Sequence, residues 1–338
     1  MNLRKILILS AAALLPACLF AKDEFAGYYA GKLVKESRAY EKSPDLFAQV
    51  VKTGNGVYKF DLLSGLFARS ELLFSAKNLK PADKKIEIDM PAIAYFGAKA
   101  KGVITPSEIK ARGTNFRGEN VEITLKRLDF KSPTLGLAAP ANALVLFDGK
   151  DTSHWVYVHD ASPCSWRVEN GAMTVGKLSK NGKEYEGTIR TKEKFGAFKM
   201  HIEFKIPAKG DGNSGIFVGP YEIQIYNSFG RDGRWDDCGA IYRQTPPQVN
   251  ASIEPEAWQT YDIEYRPAKF ENGKCVADPT FTIFHNGRRI HNQSPVYYDT
   301  RMNSASGANY VHKNSDWTIG LQDHGNAVSF RNIWVQKL

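Results

Sequence analysis

Lys209-Gly210-Asp211-Gly212-Asn213-Ser214-Gly215-Ile216-Phe217, followed at once by Tyr221-Glu222-Ile223-Gln224-Ile225-Tyr226, decides the reading of this chain. A glycine-rich turn feeds a short apolar strand, and a second strand carries Glu222 and Gln224 on alternate positions. Residues two apart in a strand share a face, so Ile223 and Ile225 point into a core while Glu222 and Gln224 point together out of it. An acid and an amide side by side on a rigid sheet face form a candidate site for a polyhydroxylated ligand. The plainer alternative is a polar, solvent-facing strand.

The same alternation recurs outward in both directions. Short runs with a two-residue period, separated by Gly, Asn, Asp and Pro, predict an all-β chain of sandwich or barrel type, with almost no helical periodicity. Residues 22–131 read as a β-rich module, with strands at Phe47–Val51, Gly56–Leu63 and Val121–Leu125 and a tight turn at Asn55-Gly56. No catalytic spacing stands out in this module. Residues 132–143, Ser-Pro-Thr-Leu-Gly-Leu-Ala-Ala-Pro-Ala-Asn-Ala, read as a linker. Residues 144–338 then form a second piece, whose hairpins turn at Asn170-Gly171 and Asn286-Gly287 and which suits a single two-sheet sandwich.

The 338 residues suffice for two domains. Arg4 and Lys5 precede an apolar run from Ile6 to Leu15, the pattern of a secretory leader, 1–21, too short for a stable membrane span. Cleavage after Ala21 gives a soluble, periplasmic or secreted chain. The competing exit, Leu15-Pro16-Ala17-Cys18, gives a lipid anchor at Cys18 and an outer-membrane or surface lipoprotein. Of the three remaining cysteines, Cys164, Cys238 and Cys275, an exported chain could oxidise one pair. The net charge of +9 is spread as single Lys and Arg residues, without the basic, aromatic-interleaved cluster that nucleic-acid binding requires.

Several motifs of the second piece occur together in one known family. They are Leu146-Phe147-Asp148-Gly149 with Trp155, Phe195-Gly196-Ala197-Phe198 leading into His201-Ile202-Glu203-Phe204, and Gly212-Asn213-Ser214-Gly215-Ile216-Phe217. Further on come Tyr221-Glu222-Ile223-Gln224, Gly239-Ala240-Ile241-Tyr242, Trp258-Gln259-Thr260-Tyr261-Asp262, His285-Asn286-Gly287 and Gly320-Leu321-Gln322-Asp323-His324-Gly325. In that order they make residues 144–338 resemble the 3-keto-disaccharide hydrolase domain family, and the preceding β-rich module resembles that of its longer members. The resemblance implies a concanavalin- or LamG-like jelly roll in an exported protein. It implies action on glycosides whose C3 hydroxyl is already a ketone, with cleavage by elimination and hydration.

Strand phase supplies the candidate residues independently. In Phe198–Phe204, Lys199, His201 and Glu203 oppose the apolar set; Gln322 and His324 oppose Ile319 and Leu321; Arg331 opposes Phe330 and Val328. His201, Glu203, Glu222, Gln224, Gln322, His324 and Arg331 would line one cleft if their strands share a sheet, with Asn213 and Tyr242 as further substrate contacts. His285, beside a hairpin turn, is read as structural, and Trp258, heading a central strand, is placed in the core.

Double displacement needs two carboxylates about 5 Å apart. The strand face Glu222, Gln224, Tyr226 offers one, and only Glu203 could complete a pair. A 3-keto sugar asks for less: one base for the acidified C2 proton and one acid for the departing oxygen, roles assigned to Glu222 and His324 in either order. Arg331 or a divalent metal ion would polarise the carbonyl, the metal candidates being His201, Glu203, Glu222 and His324. No nucleotide cofactor is expected. The alternatives are a non-catalytic carbohydrate-binding module and an adhesion protein; a cluster of ionisable side chains favours the enzyme.

Overall fold

Along Ile86–Met90 the side chains alternate buried and exposed, the period of a sheet with one wet face. The same period builds an eight-stranded antiparallel N-terminal sheet. Its spatial order is Leu72–Leu79, Val57–Leu63, Asp45–Gly54, Gly27–Lys35, Asn120–Leu128, Glu108–Thr114, Ala100–Ile104 and Ile86–Met90. Tyr29, Leu46, Val50, Phe60, Ile88 and Ile123 form its core. The protein is described by a computed structural model covering residues 23–35, 45–65, 72–91, 99–231, 233–300, 312 and 315–338. The leader, with Cys18 and Ala21, lies outside the described residues.

Residues 144–338 form a two-sheet β-sandwich, and no helix occurs among the described residues. One sheet has five strands in the order Trp155–Tyr157, Ile189–Thr191, Ile319–Leu321, Ser214–Val218 and Tyr221–Ile225. The other has eight: Arg167–Glu169, Ala172–Thr174, Ser329–Lys337, Phe198–Lys205, Trp258–Arg266, Thr280–His285 and Arg288–Pro295, with Leu144–Phe147 pairing Ser329–Lys337. Trp155, Tyr157, Tyr221 and Ile223 from the first sheet meet Phe198, Phe204, Tyr261 and Phe281 from the second in one core. Losing a ring such as that of Phe198 would cost about 3–5 kcal/mol. Both expected hairpin turns form, with Asn170, Gly171, Asn286 and Gly287 all at positive φ.

The connecting segment is laid across the outer face of the eight-stranded sheet. Ser132 Oγ lies 2.6 Å from Thr260 Oγ1, Thr134 Oγ1 donates to Asp262 Oδ2 at 2.7 Å, and Gly136 N donates to Glu203 Oε1 at 2.6 Å. Leu137 O accepts from Asn332 Nδ2 and Trp334 Nε1.

Two expectations change here. Cys164, Cys238 and Cys275 form no disulfide among the described residues; burial pushes the thiols of the first two up to about 11. Trp258 is half-buried on the outer face rather than in the core, beneath the Arg331 guanidinium at 4.0 Å. His285 is the structural core histidine expected of it: fully buried, with Nε2 3.0 Å from Gln259 Oε1 and Nδ1 without a hydrogen-bond partner, and pushed down to about 3 by burial.

Candidate functional site

On the outer face of the five-stranded sheet, opposed residues form rows across the strands. Arg190 faces Gly320, Gly320 faces Phe217, and Phe217 faces Glu222. In the next row Gly215 faces Gln224, and Gln322 N donates to Gly215 O at 3.0 Å. Gly320 and Gly215 lie on two neighbouring inner strands, so part of the floor between the polar side chains is backbone, with the Phe217 ring beside it. A Cβ at Gly215 would stand 2.5 Å from Glu222 Oε1: the Glu222 carboxyl lies over this glycine and needs it.

A cavity of about 730 Å³ opens over this face, lined by Val158, His159, Glu186, Arg190, Phe217 and Gln322, among others. Glu222 sits one strand beyond Phe217, and its N–H donates to Oγ1 of Thr300, another residue of the cavity wall. Its side chain is almost fully buried. Burial pushes its pKa up to about 8, with the positive charge of Arg243 pulling part of the way back. At neutral pH this carboxyl is therefore mostly protonated.

Arg243 arrives through chain that covers a sheet edge. Gly239 N donates to Gln224 O, Gln224 N to Ala240 O, and Tyr242 N to Glu222 O, which closes the open side of Tyr221–Ile225. Tyr242 is half-buried, its ring 5.7 Å from that of Trp235 and capped by Arg243 at 5.6 Å. Buried atoms Gln224 Oε1, Gln322 Oε1 and Trp317 Nε1 have no hydrogen-bond partner in the protein. Each such atom costs about 1–3 kcal/mol until something polar meets it. A polar ligand or water on this face would meet them.

The other named residues do not all converge here. Gln322 lines the cavity, and Asn213 lies half-buried in the glycine-rich turn leading into Ser214–Val218. His324 is exposed on the bend two residues past Gln322, outside the cavity lining. Asp323 pins that bend, accepting from Gly187 N and Gly325 N and pairing with Lys177 at 2.9 Å.

His201, Glu203 and Arg331 lie on the outer face of the eight-stranded sheet, across the sandwich from Glu222, so the single cleft read from the sequence is two separate faces. Strand phase gave their outward direction correctly, but their strands belong to the opposite sheet. Glu203, 1% exposed, accepts from Gly136 N and Arg331 Nε at 2.6 Å and from Asn332 Nδ2 at 3.0 Å. Burial would raise its pKa, but the nearby His201 ring and hydrogen bonds from Asn332, Gly136 and Arg331 overcome that and hold it near 2. His201 Nδ1 is 2.7 Å from Asp262 Oδ1, while Nε2 is 3.6 Å from Glu203 Oε1, an ion-pair rather than a hydrogen-bond distance. Burial disfavours its charged form, yet the Asp262 and Glu203 contacts leave its pKa raised. This network fastens the connecting segment.

The four candidate metal ligands are thus split, His201 and Glu203 on one side and Glu222 and His324 with the other sheet. Among the described residues no three His, Cys, Asp or Glu side chains form a metal-holding group. These four side chains do not converge on one position that a cation could occupy.

Sequence reasoning missed Arg190, Trp317, His159 and Arg243. Arg190 stands alone between Ile189 and Thr191, a three-residue strand too short to show its phase. Arg243 and His159 come from irregular chain, which has no period to read.

A protein of Bacteroides thetaiotaomicron named 3-keto-disaccharide hydrolase is 26% identical over 239 residues, spanning 58% of this chain and 78% of its own. A solved structure from Parabacteroides distasonis, provisionally described as a glycosyl hydrolase, is 36% identical with a TM-score of 0.52, covering 59% of this chain and 85% of that one. Residues 142–336 match the model of the 3-keto-alpha-glucoside-1,2-lyase-like domain, and the chain belongs to that family.

Proposed function

We propose that this chain is an exported carbohydrate-active enzyme that cleaves the glycosidic bond of 3-keto-glycosides on the outer face of the five-stranded sheet. The observation that carries the reading is Glu222: a buried carboxyl raised to about 8, beside unsatisfied amides, over a backbone floor. A proton carrier works best with a pKa near the working pH. Glu203, the residue that would have completed a hydrolase pair, belongs to the opposite face, which favours elimination over displacement.

In this mechanism the ionised Glu222 takes the C2 proton, and the C–H electron pair passes into an enolate on the C3 oxygen. Arg190, in the cavity wall, takes the charge-stabilising role that the sequence suggested for Arg331. The enolate collapses, C1=C2 forms, the C1–O bond breaks, and the departing oxygen takes a proton from His324. Water then adds at C1 as a proton returns to C2, so the net change is hydrolysis. Gln224, Gln322 and Asn213 hold sugar hydroxyls.

The test incubates the mature chain with a 3-keto-glucoside and with the unoxidised parent in D₂O, each with and without EDTA, followed by NMR. Cleavage of the keto substrate alone, with deuterium at C2 and no EDTA effect, is the expected result. Binding without turnover would make this a carbohydrate-binding module instead. Loss of activity in EDTA would overturn the metal-free mechanism.

A further inference from the structure

We infer that the N-terminal sheet is a positioning element for the ligand face, clamping both ends of the segment that carries Trp235, Tyr242 and Arg243 to Glu222. The inference rests on the site assignment for where those residues act, and on no particular reaction.

Strand Tyr221–Ile225 ends where this segment begins, and the next strand, Trp258–Arg266, starts only after it. The intervening chain has no strand of its own, so something else must hold it. Part of the answer is internal. Asn250 Nδ2 donates to Ser228 O at 2.6 Å and Arg231 O at 2.9 Å, tying the two ends of the segment together. Asp237, fully buried, accepts from Ser228 Oγ and pairs with Arg231 at 2.7 Å.

This knot sits on strands Gly27–Lys35 and Asp45–Gly54 of the N-terminal sheet. Tyr28 meets Phe229 edge-on, with ring centroids 5.3 Å apart. Its hydroxyl donates to Ser252 O at 2.9 Å and accepts from Gln49 Nε2 at 2.7 Å. One side chain therefore touches the start and the end of the segment together. Val51 fills the space beneath Gly230, where any Cβ would fall 2.3 Å from Val51 Cγ2 at a φ of +79°. Tyr28 and Gln49 are both buried, and Tyr28 belongs to the sandwich core cluster rather than to that of its own sheet. A mere spacer needs neither a shared core nor buried hydrogen bonds across the junction.

The mechanical consequence follows from the order of attachments. Residues 239–242 are held to the edge of Tyr221–Ile225 by a few backbone bonds, and their approach is set by the knot at 228–252. Releasing the knot from the N-terminal sheet frees Tyr242 and Arg243 to move relative to Glu222.

The test is hydrogen–deuterium exchange on the full chain carrying Tyr28→Phe, which keeps the ring and removes both hydroxyl bonds. Exchange across residues 226–257 is expected to quicken roughly three- to tenfold, the range for losing buried hydrogen bonds. Strands Ser214–Val218 and Ile86–Met90 should be unchanged. Val51→Ala, a milder change at the other contact, should quicken the same segment less. Arg112→Ala, on the same sheet and remote from the junction, should change nothing. With a 3-keto-glucoside, Tyr28→Phe should raise KM while kcat moves less. Unchanged exchange in 226–257, or equal acceleration everywhere, would leave the N-terminal sheet a spacer and overturn the inference. Failure of the reaction itself would remove only the kinetic arm, because exchange is read without substrate.

Discussion

Glu203 and Glu222 are the same residue type, both in strands and both almost fully buried, at 1% and 4% exposed, on the two outer faces of one sandwich. They ionise in opposite directions. Glu203 is held near 2 and Glu222 is pushed to about 8. Burial acts on both in the same sense, so the difference lies in partners. Glu203 receives three donors, one of them the Arg331 guanidinium, whereas among the described residues no hydrogen bond reaches the Glu222 carboxyl and only the charge of Arg243 opposes its desolvation. A fully bonded carboxylate is a fastener; an unbonded one with raised proton affinity can exchange a proton with a ligand.

The sharpest way to break this comparison is to make both residues glutamine. Glu222→Gln keeps the shape and the neutral charge of the protonated side chain. Turnover of a 3-keto-glucoside should fall about 10²- to 10⁴-fold, the usual worth of a positioned proton carrier. Its denaturant midpoint at neutral pH should rise, because glutamine is neutral in both states and escapes the proton-linked penalty that Glu222 carries above pH 4.5. Glu203→Gln should do the reverse. It leaves Arg331 and His201 facing an amide and should cost about 3 kcal/mol in urea unfolding. That is the low end for a broken buried pair, because Arg331 keeps about a third of its exposure (32%). Residual activity of the folded fraction should be retained. A Glu203→Gln protein as stable as its parent would mean that the network fastens nothing.

Stability against pH sharpens the same contrast. For Glu222 the folded state keeps a proton that the unfolded chain has lost between 4.5 and about 8, so this residue makes stability fall as pH rises through that window. For Glu203 the unfolded chain binds the extra proton between about 2 and 4.5; its contribution is complete above 4.5 and is lost as pH falls toward 2. Each full proton changes stability by about 1.4 kcal/mol per pH unit. Glu222→Gln should flatten the decline above 4.5 and leave the acid limb alone, and Glu203→Gln should flatten the acid limb only. Paired melting curves across pH would show whether the two limbs separate by residue.

Much of this was legible in sequence because a sheet writes its faces with a period of two. Glu222 and Gln224 were read outward from Ile223 and Ile225, and the Asn-Gly turns located hairpins that form as expected. The same period cannot say which of two sheets a strand joins. His201, Glu203 and Arg331 therefore pointed outward as read, yet on the far side of the molecule. Trp258 shows a different failure. It shares its phase with Thr260 and Asp262 on the outer face, and only its aromatic character argued for the core. Arg243 and His159 were invisible for a third reason: irregular chain carries them, and its path is fixed by contacts with distant residues.

The smallest expected effect concerns His324. It is exposed on a bend, so water has access to any oxygen it protonates and can replace it in part. His324→Ala should then lower kcat roughly tenfold, well short of the full range for a buried acid, with KM little changed. The loss should depend on the leaving group. An alkyl 3-keto-glucoside, whose departing alkoxide needs a proton, should show the full deficit. A nitrophenyl 3-keto-glucoside, whose phenolate departs unaided, should show almost none. Equal losses on the two substrates would take His324 out of leaving-group protonation, and Glu222 would then stand as the one proton carrier of this face.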